Sequence, residues 1–147
     1  MATFMGNNVG LKVGTTDLSA FVNSITISQE FDQLEVTKMG SGGHEFIAGL
    51  ENSSITIEFM SDFANSAVNQ TINGAVAGNG LVGASAALTI VPVKGNPTTT
   101  ISATNPLYTC NVLVTQWPQA FNVGELASIS VTWPVSGTIT KAITGTF

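Results

Sequence analysis

Apolar and hydroxyl side chains alternate almost one for one through two stretches of the first half of the chain. In "VNSITISQEF" (22–31), Ile25 and Ile27 fall on one side of an extended backbone, and Ser24, Thr26 and Ser28 on the other. "SSITIEFM" (53–60) repeats the pattern with Ile55, Ile57 and Phe59. A period of two predicts half-buried strands. Further strands are expected at "VGLKV" (9–13), which ends in the turn "GTTD", and at "QLEVT" (33–37), after a charged kink at Glu30–Asp32. "ALTIVPV" (87–93), "LYTCNVLVTQW" (107–117), "ASISVTWPV" (127–135) and "GTITKAI" (137–143) complete the set. One segment changes period. In "SDFANSAVNQTINGAVA" (61–77), Ala64, Val68, Ile72 and Ala75 or Val76 recur every three to four residues, which predicts a helix laid on a sheet. Ser61 or Asp62 can cap it, and Gly78 and Gly80 stop it. The pattern as a whole predicts a mainly β chain: an antiparallel β-sandwich or partial barrel with one flanking α-helix, in a single domain over residues 1–147.

Two of the alternating strands flank a loop of about 15 residues, a length that in a compact domain usually signals function or lack of order. It contains "GSGGHEFIAGLE" (40–51), with the only histidine of the chain, His44, beside Glu45. Adjacent residues on an extended segment point to opposite faces, so these two would not address one substrate atom. No G-x-S-x-G elbow occurs, and one histidine with one distant cysteine is a poor zinc set. "GNGLVG" (78–83) matches the dinucleotide fingerprint in letters, but it follows a helix and precedes a strand, the reverse of the order that cradles a pyrophosphate. Paired carboxylates for glycoside hydrolysis would need a sugar cleft, and aromatics are few. No enzyme activity, cofactor or metal is expected. The same loop places Phe46, Ile47 and Leu50 between glycine joints. Exposed apolar groups on such a segment are a liability unless a neighbour buries them, which suggests an arm that orders on meeting a partner. The alternative is that Phe46 folds back onto its own core.

Composition sharpens this picture. Only 9% of the 147 residues are charged, against about 25% in ordinary soluble domains. Ser, Thr and Asn fill the difference with 13, 19 and 12 copies. Neutral hydroxyls and amides are less costly to desolvate than ions, which suits a surface that becomes interface. Arginine is absent, so base-specific nucleic-acid recognition is not expected. Eight of the nine acids lie between Asp17 and Asp62, with Lys38 the only lysine among them. Cys110, in an apolar run, is expected to be a buried strand residue. No secretory signal is visible at "MATFMGNNVG", and the longest apolar-leaning run, "LVGASAALTIVPV", is too short to span a bilayer. Synthesis in a cytoplasm, without membrane insertion, is the expectation. Asn52-Ser-Ser and Asn69-Gln-Thr match the glycosylation pattern by chance in so Asn- and Thr-rich a chain.

The order "DLSAFVNSITI", then "V-T…G…EF-x-x-GL", then "ITIEF…DF", then "VTWPVSG" resembles the tail tube (major tail) proteins of long-tailed bacteriophages, over nearly the whole chain. The proline- and threonine-rich 95–106 loop stands outside that pattern. The resemblance implies a structural virion protein that forms stacked, hexameric rings, each subunit lending strands to an inner β-barrel. It implies self-association, contacts with tape-measure and tail-terminator proteins, and passage of double-stranded DNA. It also implies that the segment with Gly40, Gly42, Gly43, His44, Glu45, Phe46, Ile47 and Leu50 is an inter-subunit or inter-ring arm. In a bore that must not hold DNA, carboxylates would repel it, and Glu30, Asp32, Glu35 and Glu58 are the candidates. A secreted adhesin or pilin-like β domain, or the tube of a contractile injection machine, are the alternatives.

Overall fold

A computed structural model describes residues 6–64, 67–74 and 80–147. The strands are β1 (Gly10–Val13), β2 (Thr16–Asp17), β3 (Val22–Ser28), β4 (Phe31–Glu35), β5 (Phe46–Glu51), β6 (Ser54–Met60), β7 (Ser85–Val91), β8 (Leu107–Leu113) and β9 (Ser128–Ala142). A short 3-10 turn, Ser19–Phe21, leads into β3, and one helix, α1 (Val68–Asn73), lies between β6 and β7. Seven strands form one antiparallel sheet in the order β2-β1-β7-β8-β9-β6-β3, curled into a half-barrel; β4 and β5 make a separate two-stranded sheet.

The long strand β9 produces the curl. Its first half pairs with β6, from Met60↔Ser128 to Ser54↔Pro134, and its second half with β8, from Val112↔Val135 to Leu107↔Ala142. Within the second half β8 steps from Thr109 to Asn111 while β9 steps from Thr140 to Ser136. The surplus residues form a bulge, which bends a strand and increases its twist. Gly137 sits there at φ 94°, a conformation that costs glycine little. The two strands expected at 127–135 and 137–143 are therefore one: Ser136-Gly137 bends the strand without ending it. Pro134 is compatible with this. The bonds Val135 N–H to Ser53 C=O and Ser61 N–H to Ala127 C=O set the ladder phase, so residue 134 points its missing N–H away from β6.

The inward face of the half-barrel holds the predicted β6 set together with apolar residues of the other strands, while Ile25 and Ile27 of β3 are only partly buried. Ile55, Ile57 and Phe59 of β6 and Val131 and Trp133 of β9 have no exposed surface. Leu88 and Ile90 of β7, Val112 of β8 with Val114 just beyond it, and Leu11 and Val13 of β1 close the core from the other half. Phe59, Trp117 and Trp133 cluster at one end, with ring centroids 5.6 to 6.5 Å apart. Cys110 departs from expectation. It packs at the margin of the core and is half-buried, on the stretch of β8 opposite the β9 bulge. Burial first, and then the Glu51 carboxylate, push its thiol up to about 11.

The helix is shorter than its stripe suggests. Asp62 accepts the Ala64 N–H at 2.7 Å, forming a turn ahead of the helix, and the residue at the helix start is Ala67, without a side-chain cap. Gly74, at φ 83°, ends it before the glycines expected to do so. Val68 and Ile72 are buried as expected, and Ala64 is exposed. Asn65, Ser66 and residues 75–79 of the predicted helix and its stop lie outside the described residues. Asn69 is buried and satisfied: its amide donates to Ser61 Oγ and Asp62 C=O, and its oxygen accepts the Trp117 indole N–H.

Candidate assembly surface

Half of the stretch read as a loop is strand. β5 pairs with β4 in the register Glu35↔Phe46, Leu34↔Ile47 and Gln33↔Ala48, with a bulge before Phe31↔Glu51. Glycines and a lone histidine masked this strand, whose alternation becomes visible only when its partner is known. Directly paired residues share a face. Leu34 and Ile47 therefore lie on one face of the hairpin, and Glu35 and Phe46 on the other. Phe31, Leu34, Phe46 and Ile47 are each at least half exposed, and Leu50 is 82% exposed. Beyond each other, β4 and β5 have no extensive contact with another element. Phe46 does not fold back onto the core. The result is a two-stranded ribbon, apolar on both faces, continuing the β3–β6 ladder past its Ser28/Ser54 end. At its root Glu51 Oε1 accepts hydrogen bonds from Ser53 Oγ, the Ile139 N–H in the β9 bulge and Gln29 Nε2. Burial opposes ionisation of Glu51, but these three donors outweigh it and hold its carboxyl below the usual range.

The tip has an order of its own. Val36 N–H bonds Glu45 C=O, which extends the ladder, and Ser41 N–H bonds Lys38 C=O across a turn with Gly40 at φ 90°. Gly42 and Gly43 face open space. His44 Nδ1 lies 2.6 Å from Glu35 Oε1, and its ring stacks on Phe46 at 6.1 Å. Thr37 Oγ1 also donates to Glu35 and accepts the Glu45 N–H. The His44 hydrogen bond, then that of Thr37, lowers the Glu35 carboxyl below its ordinary value. Glu45 points elsewhere, to Ser41 Oγ, as the opposite-face expectation required. Sequence reasoning missed the Glu35–His44 pair because its members are nine residues apart and meet only across the hairpin. The pair is largely exposed to water, and the Thr37 hydroxyl donates to Glu35 rather than facing the ring as a nucleophile would. Among the described residues, no group of three or more His, Cys, Asp or Glu could hold a metal ion, and no helix is long and apolar enough to cross a membrane.

A second surface lies on the outside of β3, β6 and the first half of β9. There Ser24, Thr26, Ser28, Ser54, Thr56, Ser128, Ser130 and Thr132 alternate with the buried set, and Thr56 and Thr132 touch through their hydroxyls at 3.1 Å. Glu58 is the only formal charge on this face. The other three candidate acids lie elsewhere. Glu30 sits at the hairpin root, accepting from Ser28 Oγ; Asp32 is at the β4 bulge beside Gly49; Glu35 is on the face of Phe46. The four acids do not share one face. The outer edge of β3 is open as well. With even-numbered β6 residues bonded to β3, the N–H and C=O groups of Ile25 and Ile27 point off the sheet. The strand carries no charge and no proline, the usual guards of an open edge.

No protein-family model matches the sequence, and no curated protein does. Solved structures do. A chain in the virion of a native gene transfer agent particle superposes with a TM-score of 0.70 at 15% identity, over 95% of this chain and 99% of that one. A chain in the tail of an empty gene transfer agent particle, refined with C6 symmetry, gives 0.62 at 15% identity over 90% and 92%. A chain of the sheath–tube complex of the extracellular contractile injection system PVC, in its extended state, gives 0.62 at 15% identity over 93% and 89%. The chain thus has the fold of components found in tail particles and contractile injection systems.

Proposed function

We propose that this chain is a tail tube subunit, a structural protein that assembles with its own copies into stacked rings. The observation that carries this reading is the β4–β5 hairpin. A ribbon exposing apolar side chains on both faces is costly in a free monomer and useful where neighbours cover it. The open, uncharged β3 edge supports lateral addition of a further subunit by strand pairing, which would remove the edge by closure. Six subunits per ring is the proposed number, and the fold likeness to a chain in a C6-symmetric tail supports it. Gly40 to Leu50, with His44 and Glu45 at the tip and Phe46, Ile47 and Leu50 on the strand, is the assembly arm.

The hydroxyl face then lines the bore. Double-stranded DNA passing through it meets neutral groups and the repelling Glu58 carboxylates, and no cation that would displace its counterions. Of the four acids considered, Glu58 is the lumen charge in this reading; Asp32 and Glu35 belong to the arm. Tape-measure and tail-terminator proteins are the expected further partners, the virion tail is the location, and the host cytoplasm is the place of synthesis. A tube within a contractile injection machine is the second reading, favoured by the likeness to the sheath–tube chain. Negative-stain microscopy of the purified chain at high concentration tests both. Six-fold rings or tubes are expected, and deletion of Gly40–Gly49 should leave a folded monomer that makes none. Normal tubes from the deletion variant would overturn the arm assignment.

A further inference from the structure

The hairpin is not the only exposed apolar cluster. Phe63 and Phe121 stack at a centroid distance of 6.2 Å with their rings 24° apart, yet they remain 57% and 68% exposed. Val123 and Leu126, on the same 114–127 segment, are fully and three-quarters exposed. An aromatic pair that stacks in water without entering the core is a preassembled contact surface. Its position gives it a partner. Phe63 follows the Met60 end of β6, and the 114–127 segment delivers the chain to Ser128, opposite Met60. The hairpin leaves from the other end, where Ser54 pairs with Ser28. The two apolar clusters therefore sit at opposite ends of the same strands, separated by the length of β6, about 20 Å at 3.3 Å per residue.

We propose that the Phe63–Phe121 platform, with Val123 and Leu126, is the receiving surface for the β4–β5 hairpin of a second copy in the next layer of the stack. The proposal rests on the tube reading and adds the partner surface to it. Symmetry selects the occupant. A hairpin packed against another hairpin about a two-fold axis closes the pair, buries one cluster and leaves the platform in water. A hairpin packed on the platform of another copy buries both clusters in every copy with a single kind of contact. That contact is heterologous and displaced along the strand axis, so it repeats without closing and grows a filament. The platform side offers rigid rings, and the hairpin side offers Phe46, Ile47 and Leu50 on a ribbon free to seat on them.

The test uses the full chain with Cys110→Ser, Leu50→Cys and Val123→Cys, assembled at high concentration and oxidised. Disulfide-linked ladders of many subunits are expected, whereas either cysteine alone should give none. Dimers from Leu50→Cys alone would show hairpins meeting hairpins and overturn the proposal. A second arm avoids cysteine chemistry. Phe121→Ser with Val123→Ser changes exposed side chains only, so thermal unfolding should stay near wild type while tubes shorten to single layers. Copies of this variant should also stop growing wild-type tubes at one end only, since their hairpin is intact. Wild-type tubes together with normal tubes from the double serine variant would sink the platform assignment and leave the tube reading standing. A wild-type chain that remains monomeric at high concentration overturns both.

Discussion

Trp133 has no exposed surface, and its indole N–H donates to Gln116 C=O at 3.0 Å. The ring thereby ties β9 to the segment after β8 while packing against Phe59 and Trp117. Trp133→Phe loses this hydrogen bond and leaves a gap where part of a fully buried ring stood, and should cost about 1–3 kcal/mol. Urea unfolding should show a lower midpoint with an unchanged slope. Cys110 reports on burial in the same core through its reactivity. The thiolate is the reactive form, and with the thiol pushed up to about 11 only about a thousandth of it is ionised at pH 8. A chromogenic thiol reagent should label the native protein roughly a hundredfold more slowly than the denatured one. Equal rates would contradict the half-buried strand position.

The hairpin combines backbone pairing with a polar cluster at its tip. Its tip is held by His44 and Thr37 on the Glu35 carboxylate, with no core beneath it. The lowered pKa of Glu35 sets the sign of the pH dependence. A carboxyl more acidic in the folded state adds stability that is complete above the ordinary glutamate range. That stability fades as the pH falls through the range and is lost below the folded pKa. NMR contacts between His44 and Glu35 should be present at neutral pH and disappear on acidification, while the β6–β9 ladder persists. Glu35→Gln should give the loosened tip already at neutral pH. A tip that keeps its contacts in acid would show that pairing of the backbone alone suffices.

For the whole molecule, the division of polarity decides what each face can do. The half-barrel turns apolar residues inward, hydroxyls outward, and leaves two apolar clusters at its ends. Glu58→Lys reverses the only charge on the hydroxyl face without touching the core or the hairpin. If the hydroxyl face lines a bore, as proposed, assembly should be normal, because a bore-facing side chain meets water. Particles carrying the variant should deliver DNA slowly, with added salt partly restoring the rate by screening. Blocked assembly would instead place Glu58 in a subunit contact. Normal assembly with unchanged delivery would remove it from the bore.

The alternation of Ile25 and Ile27, and of Ile55, Ile57 and Phe59, was sufficient to place β3 and β6 and their buried faces, because a period of two has one meaning wherever one side must leave water. Strands β7, β8 and β9 were also placed by their apolar runs, but which of their residues are buried took the tertiary structure to decide. The end of the helix was not legible, since a glycine can stop a helix or sit beyond it, and only the backbone at Gly74 distinguishes the two. Nor was the continuity of β9, where Ser136-Gly137 reads as a break and acts as a bulge. The hairpin was half visible: its exposed apolar side chains were foreseen, but β5 needs the register against β4 to be recognised. What the tertiary structure alone decided are relations between residues far apart in sequence. It brought Glu35 to His44, separated Glu58 from the other acids, and stacked Phe63 on Phe121. These depend on where strands meet, and a local pattern encodes which side of a strand is buried, not which strand lies beside it.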